Sequence, residues 1–467
     1  MGKSQPLQPR ALGRTATPDA LLRCFAVTAP GLEALTEREL RALPSLSPAA
    51  VPSQIQVVPG GVEFCGDLST LASANLHVRC ASRLLLRLGE LHARDFPTLT
   101  RQLTQLPWDA FVPARARIHL GVRVHSERCR LYHSGAITDC IAAALSGRGL
   151  SVHVAQTDQD EDVATIASLS SPPVAPTDSQ TRAAAIAPIL EVDSAPAITL
   201  GLWLRGQHDR YVISLDTSGA LLHQRGYRRE EGIAPLRETL AAAILQLAGY
   251  SAGPLWDPMC GAGTLSIEAA LLALRRAPGL LRSFACLSWP CFPTAVWSRL
   301  HAQAKEREVP CASAPDPIHL WGSDHDPQMV AIARRNAERA GVADVIHFSV
   351  AEVGSLRLPS ALPLSDLRHA ADGPPGLVIC NPPYGRRIGD PNLGGLYRKL
   401  ARLVRSAPGW RLALLTPSPQ LARLALRHGS AIRLQSGGLP VALYLDRRHA
   451  PLSERAIEAS GDRPHDA

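Results

Sequence analysis

The feature that most constrains this chain is an acidic, glycine-containing turn, DPMCGAGT at residues 257–264, which lies between an apolar strand and a helix. Around it, helical and strand patterns alternate in LRETLAAAILQLAG, PLW, LSIEAALLAL, HLWGSD, DPQMVAIARRNAERAG and GLVIC. Such alternation predicts a parallel sheet covered by helices, a doubly wound Rossmann-like α/β domain. Ligands of such sheets bind at the carboxyl ends of the strands, where this turn is expected.

The turn indicates a nucleoside-containing cofactor. Gly261 and Gly263, with Ala262 between them, would let the backbone approach a ligand, and Asp257 adds a carboxylate at the strand end. A dinucleotide fingerprint would need a third glycine, so a dehydrogenase is disfavoured. A purely structural glycine turn remains the alternative.

Two further carboxylates follow predicted strands. Asp324 ends HLWGSD and could accept hydrogen bonds from both hydroxyls of a ribose. Asp326 precedes Pro327 and fits a helix cap better. Glu352 follows the strand at 345–350 and could accept a hydrogen bond from an adenine amino group, although a solvated loop glutamate would look the same.

The segment VICNPPYG at residues 378–385 carries the most specific chemical signal. Two prolines hold Asn381 extended, so that its side-chain oxygen and the carbonyl of Pro382 can converge on one point. Two such acceptors would hold an exocyclic amino group of a base, and Tyr384 would stack on that base. Asn381, Pro382 and Tyr384 are therefore the predicted catalytic residues.

The N-terminal part shows α+β patterning. A strand and helix are predicted within 25–43, a hairpin within 54–64, a helix after Asp67, a strand at 117–124 and a helix at 134–145. Residues 158–194 are rich in Ser, Thr, Pro and Ala and predict a disordered insert. Strand patterns resume at 197–205 and 211–215, so we expect the insert to interrupt this module.

Charge and cysteine usage restrict the partners. The 467-residue chain has a net charge of +8 and a pI near 9.1, which favours a polyanion such as nucleic acid. Residues 79–130 hold ten arginines against four acids, and Arg79, Arg83 and Arg87 are candidate phosphate contacts; an arginine-rich coding bias is the alternative. The ten cysteines show no C-x-x-C pair, so neither zinc nor a disulfide framework is indicated.

No membrane helix or signal peptide is indicated, which predicts a cytoplasmic protein without a membrane partner. The predicted layout is a disordered N-terminus at 1–20, a basic module at 21–218, an α/β domain at 219–449 and a disordered tail at 450–467. The sequence leaves the oligomeric state open.

The motifs DPMCGAGTLSIEAA, WGSDHDP and NPPYG together resemble the THUMP-domain RNA methyltransferases, in particular the ribosomal RNA large subunit methyltransferase K/L-like group. FAVTAPGLEALTERELRAL, GGVEFCGDL and SERCRLYHSGAI look like that group's ferredoxin-like and THUMP segments, and LDTSGALLHQRGYRREEG looks like its connector. The resemblance implies S-adenosylmethionine as cofactor, no metal, and N2-methylation of guanine in structured RNA, with 23S rRNA expected first and tRNA next.

The resemblance also assigns roles to individual residues. Asp257, Gly261 and Gly263 match the methionine side of the cofactor site, and Asp324 matches the ribose-binding acid. Glu352 stands where the family usually has Asp. The long insert is atypical, and no second methyltransferase domain follows, so one methylation activity is expected.

Several other functions compete with this interpretation. The N-P-P-Y segment also suits methylation of DNA adenine or of a protein glutamine, and the basic N-terminal module disfavours the protein target. A noncatalytic RNA-binding or assembly factor would keep the same fold.

Overall fold

Two β-sheets organise the protein in a computed structural model, which describes residues 21–46, 51–154, 197–230, 236–310, 318–359, 376–383, 393–407, 410–426 and 429–446. The first sheet has eight strands and the second has seven. The predicted disordered segments at 1–20, 158–194 and 450–467 lie outside the described residues. Within the described ranges, no helix is both long and apolar enough to cross a membrane.

The first sheet belongs to the N-terminal module and has the strand order β2-β3-β1-β4-β8-β7-β5-β6. Its strands are β1 (Leu22–Thr28), β2 (Ser53–Val58), β3 (Gly61–Gly66), β4 (Ala81–His92), β5 (Arg117–Glu127), β6 (Ser151–Val154), β7 (Ala197–Gln207) and β8 (Arg210–Asp216). The helices are α1 (Glu33–Arg41), α2 (Leu68–His77), α3 (Phe96–Thr104), α4 (Trp108–Phe111) and α5 (Ser134–Ser146). Neighbouring strands are antiparallel except that β5 runs parallel to both β6 and β7.

Strands β7 and β8 follow the predicted insert at 158–194 along the chain. Both strands lie inside the first sheet, between β4 and β5, so the chain returns to the same sheet after the insert. The predicted local elements are also present. For example, Asp67 caps α2 by accepting a hydrogen bond from the Thr70 N–H at 2.7 Å, as the sequence indicated.

The second sheet has the order β11-β10-β9-β12-β13-β15-β14. Its strands are β9 (Leu255–Asp257), β10 (Leu320–Asp324), β11 (Ile346–Val350), β12 (Gly376–Cys380), β13 (Trp410–Thr416), β14 (Gly429–Ser436) and β15 (Leu439–Asp446). The helices are α6 (Glu238–Leu247), α7 (Thr264–Ala273), α8 (Thr294–Glu306), α9 (Pro327–Ala340), α10 (Leu393–Arg405) and α11 (Pro419–Ala425).

This sheet is mixed, which corrects the expectation of a parallel sheet. The strands β9 to β13 are parallel, but β15 is antiparallel to β13 and β14 is antiparallel to β15. Gly437 and Gly438 join β14 to β15 with φ of +54° and +78°. Positive φ at both positions is what a two-residue hairpin turn requires.

The N-terminal module and the α/β domain share a hydrophobic core. Phe284, Trp289, Phe292 and Leu300, which lie between α7 and β10 along the chain, are buried in the cluster formed by the first sheet and its helices. Backbone hydrogen bonds cross the same contact, including Cys286 N–H to the Thr217 carbonyl at 3.0 Å. Part of the α/β domain therefore completes the core of the N-terminal module.

Candidate active site

The predicted cofactor turn leaves the carboxyl end of β9, the central strand between β10 and β12. Asp257 is the last residue of β9 and is 1% exposed, with Oδ1 accepting a hydrogen bond from the Met259 N–H at 3.2 Å. After the turn, Gly263 begins α7 with φ of +86°. Burial of apolar β9 thus places an acidic side chain and a glycine turn at the sheet edge where ligands bind.

The two glycines of the turn have different structural roles. A Cβ atom on Gly263 would lie 3.0 Å from Cβ of Ala333 on α9, so this glycine allows close helix packing. A Cβ atom on Gly261 would meet no atom within 4 Å, although φ there is +51°. Open space beside Gly261 fits a ligand that approaches the backbone closely.

The structure brings Asp324 to this turn. Asp324 ends β10, is buried, and its Oδ2 accepts a hydrogen bond from the Gly261 N–H at 2.9 Å. Its other oxygen accepts from the Asp326 N–H at 3.0 Å. Asp326 itself caps α9 through the Gln328 N–H, which confirms the helix-cap assignment.

Burial controls the protonation of groups around the turn. It raises the pKa of Asp257 to about 8, and the nearby Asp324 carboxylate adds to this effect. Burial also raises the pKa of the Cys260 and Cys380 thiols well above the ordinary value, with Asp257 contributing. These thiols are therefore neutral at physiological pH and unsuited to act as nucleophiles.

Glu352 lies on the loop after β11, which passes the end of β10. The Ala351 N–H donates to the Asp324 carbonyl at 2.9 Å, which holds this loop beside the ribose-binding candidate. The Glu352 side chain is exposed, and its carboxylate is 3.6 Å from Nζ of Lys399 on α10. Its assignment to an adenine amino group stays a prediction.

Asn381 and Pro382 follow directly on Cys380, the last residue of β12. Because β12 pairs in parallel with β9, with Val378 opposite Trp256, Asn381 leaves the same sheet edge as Asp257. Asn381 is half-buried and Pro382 is buried. Tyr384, the predicted stacking residue, lies outside the described residues.

The sequence did not reveal two residues that support the site. Ser323 Oγ accepts a hydrogen bond from the Trp256 indole N–H at 3.0 Å and lies 3.1 Å from Ser349 Oγ, which links β9, β10 and β11. Asn336 on α9 is fully buried, and its amide donates to the Ala262 carbonyl of the turn at 3.1 Å. The sequence signal for Asn336 was a polar asparagine within an amphipathic helix pattern.

The expectation that Arg79, Arg83 and Arg87 contact phosphate is wrong. Arg83 is 1% exposed and forms a buried ion pair with Asp216 of β8. Arg87 is hydrogen-bonded to Ser214 and Glu63, and Arg79 donates to backbone carbonyls of the α/β domain. All three guanidinium groups therefore bind partners within the protein.

Other arginines of that stretch remain at the surface. The side chains of Arg94 and Arg130 are 60% and 65% exposed, and Arg128 is also exposed. Arg94 and Arg130 share Asp209 as a partner at 3.6 and 3.8 Å. Within the ranges that the structure describes, no cluster of three or more His, Cys, Asp or Glu side chains could hold a metal ion.

The fold and site together define an S-adenosylmethionine-dependent methyltransferase. Two family models match the chain: the RMKL-like methyltransferase domain over residues 225–434 and the RlmL ferredoxin-like domain over residues 23–85. Together they span more than half of its residues. The chain therefore contains an RMKL-like methyltransferase domain and an RlmL-type ferredoxin-like domain, as the sequence motifs indicated.

Solved structures agree with this membership. SMU.472, described as a candidate methyltransferase in complex with S-adenosylhomocysteine, is 26% identical with a TM-score of 0.69, over 91% of this chain and 98% of that chain. A predicted N6-adenine-specific DNA methylase from Listeria monocytogenes str. 4b F2365 is also 26% identical, with a TM-score of 0.69 over 91% and 96% of the two chains. TrmN from Thermus thermophilus, at 19% identity, has the same fold with a TM-score of 0.57 over 91% and 98%.

Proposed function

We propose that this methyltransferase transfers a methyl group to the exocyclic N2 amino group of a guanosine in structured RNA, with 23S rRNA as the first candidate and tRNA as the second. The observation that carries the proposal is the position of Asn381 and Pro382. They follow β12, whose parallel neighbour β9 leads into the turn proposed to bind the cofactor, so acceptors for an amino group would lie beside the methyl donor.

The cofactor would be held by Asp257, the turn at Gly261, Ala262 and Gly263, Asp324 and Glu352. S-adenosylmethionine, when bound, supplies an electrophilic methyl group on a sulfonium centre. Asp324 offers a buried carboxylate for a ribose, already oriented by the Gly261 and Asp326 N–H groups. The space beside Gly261 admits a ligand against the backbone.

The target base would be held by Asn381 and Pro382. The amide oxygen of Asn381 and the carbonyl of Pro382 are acceptors, and an exocyclic amino group has two N–H donors. Accepting both hydrogens orients the nitrogen toward the methyl donor, and alignment is the main requirement when the donor is already activated. Tyr384 would stack on the base, which must leave any duplex to reach this edge.

RNA is favoured over DNA by the RlmL-type ferredoxin-like domain, together with the eight-stranded module that contains it. The exposed Arg94, Arg128 and Arg130 of that module suit contacts to phosphate. A cytoplasmic location goes with this substrate and is part of the same proposal.

The test is incubation of the purified protein with isotopically labelled S-adenosylmethionine and total RNA from a strain in which the gene is deleted. Mass spectrometry then identifies the labelled nucleoside, and size fractionation identifies the RNA. Labelled N2-methylguanosine supports the proposal. Label only in N6-methyladenine of DNA would overturn it in favour of the activity that the name of the Listeria protein states.

A matched control uses Asn381→Ala protein that still binds S-adenosylhomocysteine. Label in RNA that persists at the wild-type level with this variant would mean that the amino-group mechanism is wrong. Binding of S-adenosylhomocysteine by the unaltered protein, with no label in RNA, DNA or protein, would point to a noncatalytic RNA-binding role.

A further inference from the structure

The amide of Asn336 is enclosed by three hydrogen-bond partners. Its Nδ2 donates to the Ala262 carbonyl in the cofactor turn at 3.1 Å and to the Glu230 carbonyl at 3.4 Å. Its Oδ1 accepts from Nη1 of Arg339 at 3.0 Å. Because carbonyls face one end of the amide and a guanidinium faces the other, only one orientation of the side chain satisfies all three groups.

The partner Glu230 comes from the segment that joins the two sheets, residues 217–230, which we call the connector. The Glu230 carboxylate accepts hydrogen bonds from Arg339 at 2.8 Å and from Arg335, both on α9. Glu230, Arg339, Asn336 and Ala262 therefore form a continuous series of hydrogen bonds. It runs from the connector to the carbonyl at the centre of the cofactor turn.

The connector also contacts α7, the helix that follows the turn. The Tyr227 hydroxyl donates to Oε1 of Glu268 at 3.1 Å, and Nε of Arg225 is 3.5 Å from the same oxygen. Glu268 is fully buried on α7, which begins at the last glycine of the turn. The connector thus contacts both α7, which follows the turn, and α9, which donates a hydrogen bond to it.

We infer that Asn336 is a positioning residue for the cofactor turn, and that the connector sets its position through Glu230 and Arg339; this inference rests on the proposed cofactor site. In this role the connector contributes to cofactor affinity. A turn whose central carbonyl is fixed keeps Gly261 N–H aimed at Asp324 and keeps the space beside Gly261 open. Loosening it lowers the fraction of molecules that can bind the cofactor.

The test measures the Kd for S-adenosylhomocysteine by titration calorimetry in the full-length chain. Asn336→Leu keeps the approximate volume but removes the amide, and we expect binding about tenfold weaker. Glu230→Gln keeps the shape of a partly exposed side chain and removes its charge, and we expect a loss of about threefold. With RNA, the KM for S-adenosylmethionine should rise while kcat changes by less than about twofold.

Arg276→Ala is the matched control. Arg276 donates to the Ala340 and Gly341 carbonyls at the far end of α9 from the turn, at 2.7 and 2.8 Å. Its loss should lower the melting temperature and leave the Kd unchanged. If Asn336 only stabilised the fold, Asn336→Leu and Arg276→Ala would have the same Kd for S-adenosylhomocysteine at an equal loss of stability.

An unchanged Kd in folded Asn336→Leu overturns the inference. If Asn336→Leu does not fold, Glu230→Gln provides the test. An unchanged Kd in Glu230→Gln would show that the connector does not affect cofactor binding. The double variant tests the connection itself: since Glu230 acts on the turn through Arg339 and Asn336, the two losses should be less than additive. Full additivity would show that Glu230 acts independently of Asn336. Failure of the unaltered protein to bind S-adenosylhomocysteine would instead count against the cofactor site itself.

Discussion

The backbone N–H of Gly261 donates a 2.9 Å hydrogen bond to Oδ2 of Asp324, which ties the turn after β9 to the end of β10. In the proposed cofactor site Asp324 would therefore have two tasks, shaping the turn and presenting a carboxylate to the ribose. The two can be separated by substitution. The Asp324→Asn change would keep an oxygen for the Gly261 N–H but remove the charge and half of the acceptor capacity.

For Asp324→Asn we expect S-adenosylhomocysteine binding to weaken by about tenfold or more. Stability should fall by about 1–3 kcal/mol, because the amide group faces the Asp326 N–H and leaves it without an acceptor. Asp324→Ala should lower both. Calorimetric titration and urea unfolding of the same preparations measure the two effects. If Asp324→Asn bound S-adenosylhomocysteine with wild-type affinity, the Asp324 carboxylate would not be part of the cofactor site.

The two glycines of the turn should respond differently to alanine. Gly261→Ala has room for the methyl group, so it costs only the strain of a positive φ, about 1 kcal/mol, but it places the methyl group where the cofactor approaches. Gly263→Ala adds a 3.0 Å contact with Ala333 to the same strain and should lose about 1–3 kcal/mol more. Equal losses of stability in urea unfolding would contradict this distinction.

Asn381 is expected to be required for turnover and dispensable for cofactor binding. Asn381→Ala removes one of the two acceptors for the amino group, so single-turnover rates with RNA should fall by at least about a hundredfold. The Kd for S-adenosylhomocysteine should stay within about threefold. Full activity of Asn381→Ala would mean that the amino-group mechanism is wrong.

Arg83 should matter for stability and not for RNA binding. Arg83→Met leaves Asp216 as a buried charge without its ion-pair partner, a change that costs about 3–5 kcal/mol in comparable cases. Arg94→Gln with Arg130→Gln is the control at exposed positions, and it should instead reduce the salt dependence of RNA binding. Urea unfolding and filter binding at several salt concentrations distinguish the two outcomes.

The raised pKa of Asp257 predicts that stability depends on pH in the absence of cofactor. Because burial raises its pKa to about 8, the folded state keeps a proton that the unfolded state has already released near its ordinary value of 3.8. This contribution is complete below the unfolded pKa and is lost as pH rises through about 8. Measured from about pH 7 to about pH 9, the free energy of unfolding should fall, and it should fall less in Asp257→Asn. The difference between the two proteins, to which the buried thiols contribute equally, should level off above about pH 8. His77 and His223, whose pKa values are lowered by burial, are neutral in the folded state throughout this window.

Local sequence was sufficient to predict much of the site. The strand ends at Asp257, Asp324 and Cys380 follow from apolar runs that stop at a polar residue or a proline pair. The helix caps at Asp67 and Asp326 follow from side chains that reach only two or three residues ahead. Parallel strands bring these ends to one edge of the sheet.

The remaining features depend on partners distant in the sequence. The sequence suggested a basic surface stripe formed by Arg79, Arg83 and Arg87. The pairing of β4 with β8 instead buries Arg83 against Asp216, and Arg79 donates a hydrogen bond to a backbone carbonyl of the α/β domain. The amide of Asn336 gains its role only because Glu230 and Ala262 meet it from two other segments. The sequence by itself determined the elements, the cofactor turn and the amino-group motif, because each rests on short-range periodicity and backbone chemistry. Only the tertiary structure decided which charges are internal and which residues hold the turn, because burial and long-range hydrogen bonds exist only after the sheets have assembled.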